Sequence, residues 1–307
     1  MSSVKTDVPM TPARAEAAMA ALAQRYPFIR LRTLTKTFFG RPVLAMTLGS
    51  GPRTVLYTAA HHANEWITSP LLLQFAEELA ESAQNGSLYT TVPAREILEQ
   101  ATIHLVPMVD PDGVALVTGA IPEDDPQYQG ARLLAERYPA IPFPEGWKAN
   151  LLGVDLNLNY PAGWEQAKEN KEALGYFYPG PRDFVGRSPL DQRETRALAD
   201  YTEEIDPALI LAYHTQGEVI YWKYQNVYVP GAKALAEAFA ASSGYAAEDT
   251  PFASGFAGYK DWFIDVFRRP GFTIEAGLGR NPLPLAQLPE IYARSRGILA
   301  TAALGIS

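Results

Sequence analysis

Residues 59–70, AAHHANEWITSP, contain two adjacent histidines followed closely by a glutamate. An imidazole and a carboxylate three residues apart can bind one metal ion if the chain between them forms a single turn. His62 and Glu65 have this spacing, whereas His61 is one residue out of register. Taken alone, the segment is more typical of a polar loop between a strand and a helix. Other parts of the sequence must therefore decide whether it binds a metal.

The composition limits which metal ligands and which partners are available. The 307 residues include no cysteine, so His, Asp or Glu must hold any metal ion. The net charge is −8 and the pI about 5.1, which argues against nucleic acid or an anionic membrane as partner. A hydrophobic content of 47% with 20% charged residues is typical of a globular protein with a large core. No apolar run reaches the roughly 18 residues that a membrane span needs.

The N-terminal sequence predicts a helix, with Thr11 as N-cap and Pro12 in its first turn. Its only apolar run, AAMAALA, is short and flanked by charged residues, which is not typical of a signal peptide. We therefore expect a cytoplasmic location. No repeat or linker divides the chain, so we predict one catalytic domain over residues 1–307, with a flexible segment at 1–10.

Strand and helix patterns alternate along most of the chain. This alternation predicts an α/β fold with a mixed, largely parallel central sheet and helices on both faces. A Pro-, Gly- and aromatic-rich region at about 114–190 reads as irregular, and a loop of that length is usually functional. The predicted strands are 29–38 and 42–49 (a hairpin), 54–60, 101–109, 208–214 and 271–276, and the predicted helices include 193–204, 232–244, 259–267 and about 285–304.

Three residues that could do chemistry lie at the ends of predicted strands. His62, His214 and Glu275 are far apart in sequence, yet each follows or ends an apolar run. Sites in such sheets lie at the carboxyl ends of the strands. We therefore expect these three side chains to share one site.

The segments HHANEWIT, AYH, GVDLNLNY and FTIEAG occur in the order and approximate spacing of the zinc metallocarboxypeptidases. The chain resembles that family from about residue 20 to the C-terminus. The resemblance implies a single-domain carboxypeptidase-like fold and one Zn²⁺ per chain, held by His62, Glu65 and His214. A catalytic zinc takes three protein ligands and leaves one position for water. His61 and His104 are then expected to be structural.

The resemblance also implies roles for three further residues. Glu275 matches the family's general base, which takes a proton from water and delivers it to the leaving amine. Lys148 occupies the position at which the family has an arginine that stabilises the oxyanion. A lysine can supply the positive charge but not the paired N–H donors of a guanidinium. Asp155 is expected to accept the second N–H of a zinc histidine, His62.

The sequence departs from digestive carboxypeptidases in the residues that bind substrate. The Asn-Arg pair that clamps the terminal carboxylate is here Asn157-Leu158, and Asn64 replaces the arginine of the HxRE variant. The tyrosine that caps the substrate has no clean match. Phe252 lies nearest but lacks a hydroxyl, and Tyr259 is the weaker candidate.

GWKANLLGVDLN, YPGPRDF, GFAGYKDWFI and GLGRNPLPL resemble the bacterial branch that hydrolyses the γ-D-glutamyl–meso-diaminopimelate bond of murein peptides. This resemblance implies a small muropeptide as substrate, with Asn157, Arg280 and Tyr259 as candidate binding residues. Three alternatives stay open. They are a zinc carboxypeptidase of ordinary peptides, a non-catalytic peptide-binding protein, and a deacylase of N-acylated amino acids.

Overall fold

The computed structural model describes residues 2–306, and its framework is a mixed eight-stranded sheet. Within these residues the strands, numbered along the chain, are β1 (Arg30–Lys36), β2 (Pro42–Leu48), β3 (Arg53–Ala59), β4 (Leu88–Tyr89), β5 (Val92–Pro93), β6 (Ala101–Val106), β7 (Leu209–His214), β8 (Val219–Tyr221), β9 (Ala246–Glu248) and β10 (Gly271–Glu275). The sheet order is β1-β2-β6-β3-β7-β10-β8-β9, and β4 pairs separately with β5.

The centre of the sheet is parallel. Strands β6, β3, β7 and β10 run in the same direction, whereas β1, β2 and β8 pair in antiparallel fashion at the two sides. The carboxyl ends of the four central strands therefore meet at one edge of the sheet. Residue 59, the end of β3, and His214, the end of β7, lie at that edge together with Glu275.

Helices cover both faces of the sheet. Among the described residues they are α1 (Pro12–Arg25), α2 (Thr68–Asn85), α3 (Ala94–Gln100), α4 (Pro111–Val117), α5 (Pro126–Ala135), α6 (Trp164–Ala173), α7 (Arg193–Ile205), α8 (Ala232–Ser243), α9 (Tyr259–Phe267) and α10 (Leu288–Leu304). One core contains apolar residues of α1, α2, α3, α8 and α10, and the opposite core contains those of α7 and α9.

The central strands supply both cores by simple alternation. In β7, Leu209, Leu211 and Tyr213 belong to the first core, whereas Ile210 and Ala212 belong to the second. Successive side chains of a strand point to opposite faces, so a strand buried on both sides reads as one continuous apolar run. The predicted α/β fold with a largely parallel central sheet is confirmed.

One region differs from the sequence-based expectation. The region 114–190 is not wholly irregular, because it contains α5 and α6. Each of these helices buries only two side chains, so neither produces a clear apolar period. The flexibility expected for segment 1–10 stays a prediction, and in the structure the described part of this segment contacts α2. Val4 and Met10 are buried, and Glu77 accepts hydrogen bonds from the Ser3 amide and the Ser2 hydroxyl at 2.5 Å each.

No helix within residues 2–306 combines the length and the apolar character that crossing a membrane requires.

Candidate active site

Three buried side chains converge where β3 and β7 end. His62 precedes a single turn of 3₁₀ helix, Ala63–Glu65, which brings Glu65 back beside it, and His214 ends β7. The Nδ1 atoms of the two histidines are 3.2 Å apart. Glu65 places Oε1 at 3.0 Å from Nδ1 of His62 and Oε2 at 3.0 Å from Nδ1 of His214. Within the described residues these three form a group that could hold a metal ion.

The spacing of these atoms fits a zinc ion. Zinc bonds of roughly 2.0–2.1 Å in tetrahedral geometry place neighbouring ligand atoms about 3.3 Å apart. The observed separations of 3.0–3.2 Å are close to this value. Two nitrogens and one carboxylate are also a donor set that catalytic zinc sites use.

Asp155 fixes the orientation of His62. Its Oδ1 lies 3.1 Å from Nε2 of His62, so the ring presents Nδ1 to the other two ligands. Its Oδ2 accepts the backbone N–H of Asp183 at 3.2 Å. Burial alone would raise the pKa of Asp155, but the neighbouring His62 and Lys148 lower it, so the carboxylate stays ionised. The structure thus places Asp155 beside His62, and its supporting role at a metal site stays a prediction.

Glu65 is held by several donors besides the histidines. The backbone N–H of Thr215 donates to Oε2 at 3.1 Å, Nδ2 of Asn281 lies 3.4 Å from Oε1, and Nζ of Lys148 is 3.2 Å from Oε1. Burial would raise the pKa of Glu65, but His62 and Lys148 lower it well below its ordinary value. The glutamate is therefore anionic, as a metal ligand must be.

Glu275 faces the ligand group from the neighbouring strand. It ends β10 and is paired in register with His214 of β7. Burial among protein groups, together with the charge of Glu65, raises the pKa of Glu275 to about 8, although Lys148 and His62 act in the opposite direction. A carboxylate with a raised pKa beside a metal site is a candidate for proton transfer.

Two cavities meet at Glu275 and Lys148. The larger, about 920 Å³, is also lined by Asn64 and Arg280. The smaller, about 240 Å³, extends past His62 towards α9. Four residues line both cavities: Lys148, Arg182, Tyr221 and Glu275. If the scissile peptide bond of a substrate lies beside the ligand group, the two residues that this bond joins would therefore occupy different cavities.

The candidate substrate-binding residues lie in three different environments. Asn157 lines the smaller cavity, and its Oδ1 accepts the Tyr259 backbone N–H at 3.0 Å, which leaves its amide nitrogen for a ligand. Arg280 is exposed and lines the larger cavity. The expected role of Tyr259 is corrected, because its side chain is fully buried and its hydroxyl bonds to Thr202 at 2.7 Å. It lines neither cavity.

The remaining two histidines have structural surroundings. His61 is fully buried and stacks against His214 and Tyr259, with ring centroids 5.6 and 5.4 Å away. His104 lies within β6, where Nδ1 is 2.6 Å from the hydroxyl of Tyr201. Neither belongs to the ligand group that the described residues form.

Sequence reasoning missed several residues of the site. Thr215 and Asn281 contact Glu65, and Arg182 and Asp183 line the cavities, but none of them has a spacing that predicts such a role. The segments YPGPRDF and GLGRNPLPL, which contain Arg182 and Asn281, were the only available signal.

Two histidines and a glutamate at the edge of an α/β sheet, with a second carboxylate opposite, define a mononuclear metallohydrolase. Residues 15–294 match the zinc carboxypeptidase family, whose cofactor is one zinc ion. The chain therefore belongs to the zinc carboxypeptidase family of metallopeptidases and is a hydrolase.

The similarity extends to individual relatives. The chain is 40% identical over 277 residues to the gamma-D-glutamyl-L-diamino acid endopeptidase 1 of Lysinibacillus sphaericus. This alignment covers 90% of this chain and 68% of that protein. Carboxypeptidase A from Helicoverpa armigera superposes with a TM-score of 0.73 at 19% identity, covering 99% of this chain and 75% of that one. The murein-tripeptide amidase MpaA from Escherichia coli O157 gives a TM-score of 0.55 at 19% identity, covering 88% and 91%. At these identities, the two structures support the fold alone.

Proposed function

We propose that this protein hydrolyses the amide bond between γ-D-glutamate and meso-diaminopimelate in murein peptides. The observation that carries the proposed reaction is the convergence of His62, Glu65 and His214 beside Glu275. The first three residues would hold one zinc ion. When bound, zinc supplies Lewis-acid chemistry, lowering the pKa of water to about 7 and polarising the carbonyl.

Glu275 is the proposed general base. It takes the proton of the attacking water and then delivers it to the nitrogen of the leaving amine. A group that must accept and release a proton in one cycle works best when its pKa is near the working pH. The burial that raises the pKa of Glu275 to about 8 is consistent with this role.

Lys148 is the proposed donor to the oxygen that becomes negative as the carbonyl is attacked. It lines both cavities, where the scissile bond would lie. Burial would lower its pKa, but Glu65 and Asp155 raise it, so the ammonium stays charged. A fixed positive charge in a partly water-excluded site stabilises such an oxyanion.

The proposed substrate rests on the relative from Lysinibacillus sphaericus and on the walls of the smaller cavity. Leu158 lines that cavity in place of the arginine that clamps a carboxylate in digestive enzymes. The smaller cavity is also lined by lysines, aspartates and Arg182. These charged side chains suit a diamino acid that carries ammonium and carboxylate groups. A non-catalytic binding function is less well supported, because the ligand group, Lys148 and Glu275 are all present.

The decisive experiment compares two isomeric peptides. Zinc-loaded protein is incubated with L-Ala-γ-D-Glu-meso-diaminopimelate and with the matched α-linked tripeptide, and the products are identified by mass spectrometry. We expect release of diaminopimelate from the γ-linked peptide alone, abolished by a chelator and restored by zinc. Preference for the α-linked peptide would favour an ordinary zinc carboxypeptidase. The expected cytoplasmic location rests on the N-terminal sequence and stays a prediction.

A further inference from the structure

A group of three charged residues in the smaller cavity has an excess of positive charge. Asp183 is buried and accepts a hydrogen bond from Nε of Arg182 at 2.6 Å. The same carboxylate accepts one from Nζ of Lys171 at 2.5 Å. Within the group, one carboxylate thus faces two cations. Asp155 also acts on Arg182 and Lys171, but its two oxygens are engaged by His62 and by the Asp183 backbone N–H. Elsewhere in the cavity, Lys260 and Asp261 form a balanced pair.

Arg182 is the member of this group that can reach a ligand. Its side chain is 41% exposed, whereas that of Asp183 is 9% exposed. Because Nε is engaged by Asp183, the guanidinium is fixed in orientation, and its terminal nitrogens have no hydrogen bond within residues 2–306. These nitrogens are a planar pair of donors, the geometry that binds a carboxylate through two parallel hydrogen bonds.

The position of Arg182 suits the amine side of the scissile bond. It lines both cavities, as Glu275 and Lys148 do, so it lies where the two cavities meet. The backbone N–H of Asp183 donates to the carboxylate of Asp155, which also orients His62. Asp155 therefore holds both the loop that carries Arg182 and one of the proposed metal ligands. By contrast, Arg280 lines only the larger cavity.

We propose that Arg182, oriented by Asp183, binds a carboxylate of the residue on the amine side of the scissile bond and replaces the arginine that is absent at position 158. The assignment rests on the proposed function, in which that residue is diaminopimelate. The amide nitrogen of Asn157, which faces the same cavity, is available as a second donor.

The test measures binding without turnover. Zinc-loaded Glu275→Gln protein, with and without Arg182→Ala, is titrated calorimetrically with the γ-linked tripeptide and with an analogue whose diaminopimelate carboxylates are both carboxamides. Arg182→Ala should weaken binding of the acid by about 10- to 100-fold, the range of a charge-assisted pair, and barely change binding of the amide. Arg182→Lys should give an intermediate loss, since it keeps the charge without the fork.

Equal weakening of the acid and the amide, or no weakening of either, overturns the assignment. A selective loss in Arg280→Ala instead of Arg182→Ala would transfer the role to Arg280. Removing Arg182 leaves Asp183 paired with Lys171, so the fold should be retained, and an unchanged melting temperature verifies this.

The proposed function fails separately if zinc-loaded wild type leaves the γ-linked bond intact while cleaving the α-linked peptide. In that case the calorimetric titration is repeated with the α-linked tripeptide and with its C-terminal amide, in place of the γ-linked tripeptide and its carboxamide analogue. Loss of binding that is selective for the acid still supports Arg182 as the carboxylate site, and its absence overturns it.

Discussion

Two adjacent histidines have different surroundings because the chain turns between them and Glu65. His62 opens the single 3₁₀ turn, and Asp155 holds its Nε2, so Nδ1 points at Glu65 and His214. His61 instead lies in the aromatic core, with Nε2 3.4 Å from the hydroxyl of Tyr160. The three-residue offset between His62 and Glu65 predicts that His62 is the ligand, and the structure places these two side chains in contact.

Replacing each histidine in turn tests the ligand assignment. His62→Ala should lose bound zinc and activity, because two remaining ligands leave the ion short of the three that catalytic sites supply. His61→Phe should keep stoichiometric zinc, since an aromatic ring preserves the stacking on His214 and Tyr259. The zinc content is measured by inductively coupled plasma mass spectrometry after gel filtration. One zinc per chain in purified His62→Ala would contradict the assignment.

Replacing Glu275 separates proton transfer from metal binding. Glu275→Gln keeps the shape of the side chain but cannot accept a proton at its physiological working pH. We expect normal zinc content, an unchanged melting temperature and a kcat at least about 10²- to 10⁴-fold lower, the usual contribution of a general base. A kcat within a few-fold of wild type would remove Glu275 from this role.

The proposed metal ligands and Glu275 could be identified as candidates from the sequence because each belongs to a local pattern at the end of an apolar strand. Arg182 and Tyr259 could not be predicted in the same way. Arg182 reaches the cavities because hydrogen bonds to residues 148–155, among them that of the Asp155 carboxylate, hold its loop, although Asp155 lies 27 residues earlier in the sequence. Tyr259 was expected at the substrate, but the start of α9 turns its ring into the core against Thr202.

Among the secondary-structure elements, the extent of burial determined which strands the sequence pattern predicts. Strands β3 and β7 are buried on both faces, so their apolar runs are unmistakable. Strands β8 and β9 have three residues each and lie at the side of the sheet, where few positions are buried. Too short to form a pattern, they were not predicted.

His104 joins β6 to α7 and should make stability depend on pH. Burial lowers its pKa to about 4, and Nδ1 lies 2.6 Å from the hydroxyl of Tyr201. Between pH 6.5 and 4 the unfolded chain binds a proton that the folded protein excludes, so stability falls as the pH falls through this range. At higher pH the neutral ring is fully compatible with the fold.

The matched variant is His104→Gln, which keeps a polar partner for Tyr201 but does not titrate. Urea unfolding of both proteins is measured from pH 7.5 to 4.5. The stability advantage of wild type should shrink as the pH falls, by less than about 3 kcal/mol in total. Titration of the zinc ligands is common to both proteins and cancels in the difference. A constant difference across this range would contradict the assigned pKa direction.

At the scale of the whole molecule, the metal site connects parts of the chain that are distant in sequence. Its ligands come from residues 62–65 and from His214, and Asp155 and Asn281 support them from two further segments. Unfolding separates residues 62–65 from His214, Asp155 and Asn281. Zinc should therefore bind the folded protein and have little affinity for the unfolded chain.

The ligand group is also largely shielded from water. His62, His214 and Glu65 are buried together with little access to water, and Glu275 is forced towards its neutral form nearby. A divalent cation at this point would neutralise the carboxylate charge and satisfy both imidazole nitrogens. Ligand binding to the native state alone raises the free energy of unfolding by an amount set by the free ligand concentration.

Removing zinc should therefore lower the melting temperature of the whole domain, and readdition should restore it. With free zinc about a thousandfold above Kd, the expected stabilisation is on the order of 4 kcal/mol. Scanning calorimetry of chelator-treated and zinc-loaded protein measures it, with His62→Ala as the control that should show no zinc-dependent shift. Identical melting temperatures with and without zinc in wild type would mean that the ion does not bind the native ligand group. A shift of equal size in His62→Ala would place the stabilising ion elsewhere.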